Sequence, residues 1–264
     1  MAIIFDGRAY AAEKEANLAI RVLGLKTREV YPKLASILVG NDPASELYVN
    51  LKKKAAERIG VEVDIYLIKE NSKPEDLMLL IKTLNEDDSV HGIMIQMPLP
   101  SGVQNSKSKI LNTIAPQKDV DGLRPDSEFL HPTSKAVIDI LNLAEVGLSV
   151  KPKLVAVVGA TGMVGTPLVK ELKIEGYEVI EASGKTDDLS HNLKNAEVVI
   201  SATGIPGLIK ANMIKPGAIV IDVGSPNGDV ELSATSHASF ITPVPGGVGP
   251  VTITALLENL ILAV

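Results

Sequence analysis

Residues 155–165 read VAVVGATGMVG. A four-residue apolar run ends in a glycine, two more glycines follow at three-residue spacing, and a helical stretch comes next. This reads as a buried strand, a tight turn and a helix. Glycine in such a turn lets the backbone approach a phosphate closely. The helix N-terminus beyond it offers N–H groups without intrahelical partners and the positive end of a dipole. The spacing is G-x-x-G-x-x-G rather than G-x-G-x-x-G, so a bare strand-to-helix turn also fits this stretch. The surrounding α/β pattern favours a nucleotide.

Outward from this turn the same alternation repeats. Downstream, strands are expected at 178–182, 198–202, 218–223 and 240–242, with helices between them and a last helix near 251–262. Upstream, strands are expected at 33–39, 61–68 and 90–97. Helices are expected near 8–23, from Pro43 to Gly60, from the Ser72–Glu75 capping-box signature to about 85, near 105–114 and near 135–143. Residues 115–132 carry three prolines and no period, and read as a long, potentially functional loop. Alternating strands and helices imply parallel sheets covered on both faces. The expected fold is α/β: two α/β domains with largely parallel sheets, the second a Rossmann-type dinucleotide-binding domain, with a cleft between them. The expected boundaries are 1–132 for a catalytic domain, with the helix at 250–264 packing back onto it, and 133–249 for the dinucleotide domain.

Composition narrows the function. The 264 residues are 45% hydrophobic and 22% charged, which excludes a disordered chain. Aromatics are 3% and the net charge is −6, which opposes base-stacking and non-specific nucleic-acid or anionic-membrane binding. There is no cysteine, so disulfides, thiolate nucleophiles and thiolate metal sites are excluded. No basic segment precedes the short apolar N-terminal run, so no signal peptide is expected, and a cytoplasmic protein is. The four histidines lack convergent zinc spacing, and Pro116 and Pro125 break the flanks that a calcium loop around Asp119–Glu128 would need. No metal is expected.

The helix after Asp42 holds an anomaly. At about 100° per residue, Lys52 lies about 40° from Tyr48, and Ala55, Ile59 and Leu51 fall on the same arc. An ammonium and a phenol thus share the apolar stripe. Lys52 could snorkel into solvent. Alternatively it sits in a cleft, where desolvation lowers its pKa and fits it for proton transfer. Gln96 ends the apolar strand GIMIQ, at the carboxyl end where ligands bind in open α/β sheets. In KDVDG (118–122), an aspartate could accept two N–H bonds from an amino-pyrimidine edge, or the aspartates could simply hold a turn. Beyond the second strand of the dinucleotide series, Glu181 would favour NAD, whereas Ser183, Lys185 and Thr186 suit the 2′-phosphate of NADP.

Taken together, GNDPASELYVNLKKKAAERIGV (40–61), GIMIQMPLP (92–100), KDVDG (118–122), VVGATGMVGTPLV (157–169), ATGIPGLI (202–209), KPGAIVIDVG (215–224) and TPVPGGVGPVT (242–252) resemble the bifunctional methylenetetrahydrofolate dehydrogenase/methenyltetrahydrofolate cyclohydrolases. The resemblance covers nearly the whole chain. It implies NADP-dependent oxidation of 5,10-methylenetetrahydrofolate to the methenyl form and its hydrolysis to 10-formyltetrahydrofolate, usually by a homodimer. It implies catalytic roles for Lys52, Tyr48 and Gln96, with Lys52 as general acid/base. Substrate contacts are implied for Asp121, Pro245, Gly246 and Gly247. Cofactor contacts are implied for Gly159, Ala160, Thr161, Gly162, Val164, Gly165, Ser183, Lys185, Thr186, Thr203 and Gly204. The family's G-R-S-x-x-V-G turn has Ala160 and Thr161 here in place of Arg and Ser, which leaves NAD open beside NADP. The family's P-C-T-P run is replaced by Pro132-Thr-Ser-Lys135, so a local loop change is expected there. Another two-domain dehydrogenase of the shikimate type, or a non-catalytic nucleotide sensor, would account for the fold but not for all of these segments.

Overall fold

The computed structural model describes residues 2–184, 186 and 188–264; Met1, Lys185 and Asp187 lie outside the described residues. The chain divides into two compact units. The first is Ala12–Pro132 with Ile253–Val264, and the second is Met1–Ala11 with Thr133–Thr252. The boundary expected from sequence puts all of residues 1–132 in the catalytic domain. The N-terminal segment instead belongs to the second unit, because a two-residue strand β1 (Ile3–Ile4) pairs in parallel with a strand near the C-terminus and Phe5 enters that unit's core. Its brevity and exposed side chains left no pattern to read. Helix α1 (Gly7–Lys26) follows.

In the first unit, β2 (Lys33–Val39) leads to α2 (Pro43–Arg58), β3 (Glu62–Ile68), α3 (Pro74–Glu86) and β4 (Gly92–Ile95), then to the short helices α4 (Ser101–Gln104) and α5 (Lys107–Leu111). The sheet is parallel with the order β3-β2-β4. Nearly every residue of β2 is buried, as expected of a strand covered on both faces. Asp42 caps α2, its Oδ2 accepting from Ser45 N at 2.8 Å, with Pro43 at the first helical position. The expected Ser72–Glu75 box is displaced by one residue. Pro74 takes the first helical position, so Lys73 becomes the cap, and its N–H donates to Asp76 Oδ2 at 3.1 Å. The helix expected at 105–114 is shorter, α5 spanning Lys107–Leu111, and a turn in which Ser106 N bonds back to Val103 O separates it from α4, which is not expected from sequence.

In the second unit, α6 (Pro132–Leu148) leads to β5 (Leu154–Val158), α7 (Gly165–Ile174), β6 (Glu178–Ala182), α8 (Leu189–Asn195), β7 (Val198–Ser201), β8 (Ile219–Asp222) and β9 (Phe240–Ile241), and the chain ends in α9 (Val248–Leu262), which passes into the first unit at Ile253. Six parallel strands run in the order β1-β9-β8-β7-β5-β6. Pro132, at the altered P-C-T-P run, starts α6, and Ser134 Oγ donates to Val164 O at 3.0 Å.

Both sheets contain a point where the chain leaves one strand in opposite directions. Strand β2 lies between β3 and β4, and β5 lies between β6 and β7. Ligands of open α/β sheets sit at the carboxyl ends of the strands at such points. In the first unit these ends are Val39 and Ile95; in the second they are Val158 and Ser201.

Candidate functional site

The residue after β4 is Gln96, which is buried. Its N–H continues the sheet by donating to Ile37 O at 2.9 Å, and its Nε2 donates to Met97 O at 2.8 Å. The remaining amide oxygen is thereby aimed, and Lys52 Nζ donates to it at 3.1 Å. Met94 Sδ lies 3.8 Å from the same nitrogen. Lys52 does not snorkel into water. Its stem is partly exposed, but its ammonium is enclosed by protein. Burial lowers its pKa, and the carboxylate of Asp121 opposes this only in part.

The buried stripe of α2 is Ser45, Val49, Ala55 and Ala56. Lys52 lies at its centre at helical spacing. Tyr48 lies at its margin, 38% exposed, and Leu51, expected on the stripe, is 42% exposed. The apolar arc read from the sequence is therefore rotated towards Val49. Val49 and Ala56 face the core, and the leucines at 47 and 51 do not.

Asp121 follows a 3-10 turn at Pro116–Lys118. Of the two aspartates of KDVDG, Asp119 takes the turn-holding role. Asp119 is fully buried and holds the turn: its Oδ2 accepts from Arg124 N at 2.8 Å and its carbonyl accepts from Gly122 N at 3.0 Å. Burial pushes the Asp119 carboxyl up, against the N–H groups of Arg124 and Leu123 that pull it down. Asp121 is partly exposed and lies within electrostatic reach of both Lys52 and His131.

Two residues of this region escaped the sequence reading. His131 is buried, and desolvation holds its imidazole below the ordinary value, with Asp121 opposing and Lys52 adding to the shift. Nothing in its spacing signals this, since the loop closes it in only after folding. Gly122, at φ +61°, lies so close to the His131 backbone that a Cβ would come within 2.6 Å of His131 N. Asn259 of α9 is buried, and its Nδ2 donates at 3.0 Å to both Val120 O and Leu130 O, tying the residue before Asp121 to the residue before His131. An asparagine inside the apolar run ALLENLIL (255–262) was the available signal.

In the second unit, Gly159 takes φ +90° directly after β5. A Cβ there would meet Ala202 O at 2.4 Å, and one on Gly165 would meet Gly159 O at 2.1 Å. Both positions therefore require glycine for close backbone packing. Thr161 and Gly162 are exposed, and Val164 precedes α7, whose first turn carries no side-chain cap. Thr166 N is taken by Gly162 O at 3.0 Å and Pro167 has no N–H, so Gly165 N is the leading helical donor left for an anion. Ala160 contributes no polar side chain: its methyl is in the core and its N–H donates to Ala182 O at 3.1 Å. After β6, Ser183 N donates to Thr186 Oγ1 at 2.8 Å, forming a turn; Lys185 lies outside the described residues. Glu181 is engaged on the surface, pairing with Lys173 at 2.6 Å. Thr203 and Gly204 follow β7, beside the glycine turn. Pro245, Gly246 and Gly247 form the loop before α9, where Gly247 packs against Pro243 and Gly7 packs against the backbone of Gly246 and Gly247. These donors and close backbone approaches fit a dinucleotide phosphate. Among the described residues, no cluster of three or more His, Asp or Glu side chains could hold a metal ion.

The sequence matches a family described as "Tetrahydrofolate dehydrogenase/cyclohydrolase, catalytic domain" over residues 5–121 and "Tetrahydrofolate dehydrogenase/cyclohydrolase, NAD(P)-binding domain" over residues 131–264. It is 42% identical to the bifunctional protein FolD of Exiguobacterium sibiricum, over all of this chain and 99% of that one. Among solved structures, the bifunctional methylenetetrahydrofolate dehydrogenase/cyclohydrolase FolD of Campylobacter jejuni superposes with a TM-score of 0.94 at 38% identity, covering 100% of this chain and 98% of that one. The Trypanosoma brucei enzyme, solved with NADP and an inhibitor, gives 0.92 at 33% identity, covering 99% and 97%. The chain belongs to the tetrahydrofolate dehydrogenase/cyclohydrolase family.

Proposed function

We propose that this chain oxidises 5,10-methylenetetrahydrofolate to 5,10-methenyltetrahydrofolate with NADP and then hydrolyses the product to 10-formyltetrahydrofolate. The observation that carries the reading is the enclosed Lys52 amine held by Gln96 at the carboxyl end of β4. NADP, when bound, accepts the hydride from the folate methylene carbon. The part played by the chain in that step is alignment, which needs little acid–base chemistry.

Hydrolysis asks more of the side chains. Water adds to the amidinium carbon of the methenyl bridge and must give up a proton, after which one carbon–nitrogen bond opens. Lys52 in its neutral form takes the proton, and its lowered pKa makes that form accessible. Gln96 keeps the amine in place through Oε1, and Tyr48, one helical turn away, assists in placing it. Asp121 accepts hydrogen bonds from the amino-pyrimidine edge of the pterin. Pro245, Gly246 and Gly247 border the reacting groups. The turn at 159–165 would hold the NADP phosphates, and Thr203–Gly204, whose N–H groups are turned to Asp229, would line the site with their backbone. In the absence of an arginine at Ala160, Ser183, Lys185 and Thr186 would hold the 2′-phosphate. In this reading the folate domain is centred on residues 12–132 and the dinucleotide domain on 133–252, and the protein is a cytoplasmic homodimer.

The test is cofactor reduction by purified protein with methylenetetrahydrofolate, followed by loss of the methenyl chromophore. NADP should be reduced in preference to NAD. A protein that reduces neither cofactor with this substrate would overturn the assignment. Sedimentation at assay concentration checks the dimer, and a monomer would remove it.

A further inference from the structure

A buried carboxylate pair lies beneath the carboxyl ends of β7, β8 and β9, and the chemistry described above does not use it. Asp222 ends β8, and Asp229 lies in the loop that follows; both are buried, Asp229 completely. One oxygen of Asp229, Oδ2, takes four donors: Ser201 Oγ at 2.8 Å, Thr203 Oγ1 at 2.8 Å, Thr203 N at 2.7 Å and Gly204 N at 3.2 Å. Asp222 holds Asp229 from behind. Its Oδ1 accepts from Asp229 N at 3.1 Å and Gly224 N at 2.8 Å, and its Oδ2 accepts from Val230 N at 3.0 Å. Asp222 N in turn donates to Thr242 Oγ1 at 2.7 Å, at the residue preceding the Pro243–Gly247 loop.

The loop wraps the pair so closely that side chains are excluded. A Cβ on Gly228 would lie 2.6 Å from Asp222 Oδ2, and one on Gly224 would lie 2.7 Å from Asp229 N. The other oxygen of Asp229, Oδ1, is buried and has no hydrogen-bond partner among the described residues. A buried carboxylate with one oxygen unsatisfied is a costly way to hold a loop, and apolar packing would do so at less cost. What this carboxylate supplies and apolar packing cannot is a fixed orientation for the N–H groups of Thr203 and Gly204 beside the glycine turn.

We propose that Asp229 is a positioning residue for the dinucleotide, setting the Thr203–Gly204 backbone so that the NADP site is formed before the cofactor arrives. The inference rests on the reading that the second unit binds NADP. Preforming a site raises affinity by removing an ordering cost, so Asp229 acts on cofactor affinity and not on folate chemistry.

The test titrates NADPH into the full chain as wild type, Asp229→Ala and Asp229→Asn, with NADP kinetics and methenyl hydrolysis measured alongside. Asp229→Ala is expected to weaken NADPH binding roughly tenfold or more. The KM for NADP should rise in parallel, with kcat at saturating cofactor and the hydrolysis rate nearly unchanged. Asp229→Asn retains a carbonyl acceptor in place of Oδ2 and puts its amide nitrogen where the unpartnered oxygen lies, so it should restore most of the affinity. If the alanine variant fails to fold, the asparagine variant and Ser201→Ala, which removes one of the four donors, still give the measurement, with small, graded losses of NADPH affinity expected. Wild-type affinity in a folded Asp229→Ala protein would overturn the proposal, as would equal loss of cofactor binding and methenyl hydrolysis. Failure of the wild type to bind NADPH would remove the underlying functional reading as well.

Discussion

In the proposed mechanism Lys52 bears the chemistry because its ammonium is enclosed by protein. Desolvation lowers its pKa from the ordinary 10.5, and Asp121 recovers only part of the shift. The sign of the stability effect follows. A lysine with a depressed folded pKa costs stability while charged, and the cost is relieved as the pH rises from the folded to the unfolded value. In the proposed mechanism the neutral amine is the active form. Methenyl hydrolysis, corrected for the uncatalysed rate, should therefore rise with pH and level off below the ordinary lysine value. A profile still climbing at pH 10.5 would mean that the amine titrates as if in water. The position of Lys52 on the apolar stripe was legible from helical spacing alone. Gln96 was legible as a candidate partner from its place at the carboxyl end of its strand and from the resemblance; 44 residues away in sequence, it meets Lys52 once β2 and β4 pair. The roles of Asp119 and Asp121 were legible as alternatives. Folding gave the turn to Asp119, which is fully buried, and left Asp121 partly exposed.

At the scale of elements, the strands of both sheets could be read because parallel strands are continuous apolar runs, and α2 because Asp42-Pro43 marks its start. Where the reading missed, the cause was local. Pro74 shifted the cap of α3 by one residue, and β1 was too short and too exposed to show a pattern. Helix α9 shows what a pattern of apolar residues conceals. Its one buried asparagine, Asn259, spans the loop that carries Asp121 and His131. Asn259→Ala leaves two buried carbonyls without this donor and should cost about 1–3 kcal/mol. Urea unfolding should show this as a lower midpoint at unchanged slope. The KM for folate should rise as Asp121 loses its anchor, with NADPH affinity unaffected. A variant with unchanged midpoint and unchanged folate KM would show that the clamp is idle.

At the scale of the molecule, each unit has its own sheet and core, and each presents a reversal of strand order as a place for a ligand. The N-terminal residues join the second unit through β1 and the C-terminal residues join the first through α9, so the two units are discontinuous in sequence. Cofactor binding should therefore be visible in one unit. NADPH at about a hundred times its dissociation constant adds about 2.7 kcal/mol to the state that binds it. Amide exchange should slow most in β5, β7 and the turn at 159–165, and least in β2, β3 and β4. Slowing confined to the first unit would place the dinucleotide elsewhere.

The amine of Lys52 is the proposed proton acceptor in hydrolysis, and the most direct test is Lys52→Met, which keeps an unbranched side chain and removes the base. Methenyl hydrolysis by this variant should fall to the uncatalysed rate, while NADPH binds with wild-type affinity. Hydrolysis at the wild-type rate by a folded Lys52→Met protein would contradict the mechanism.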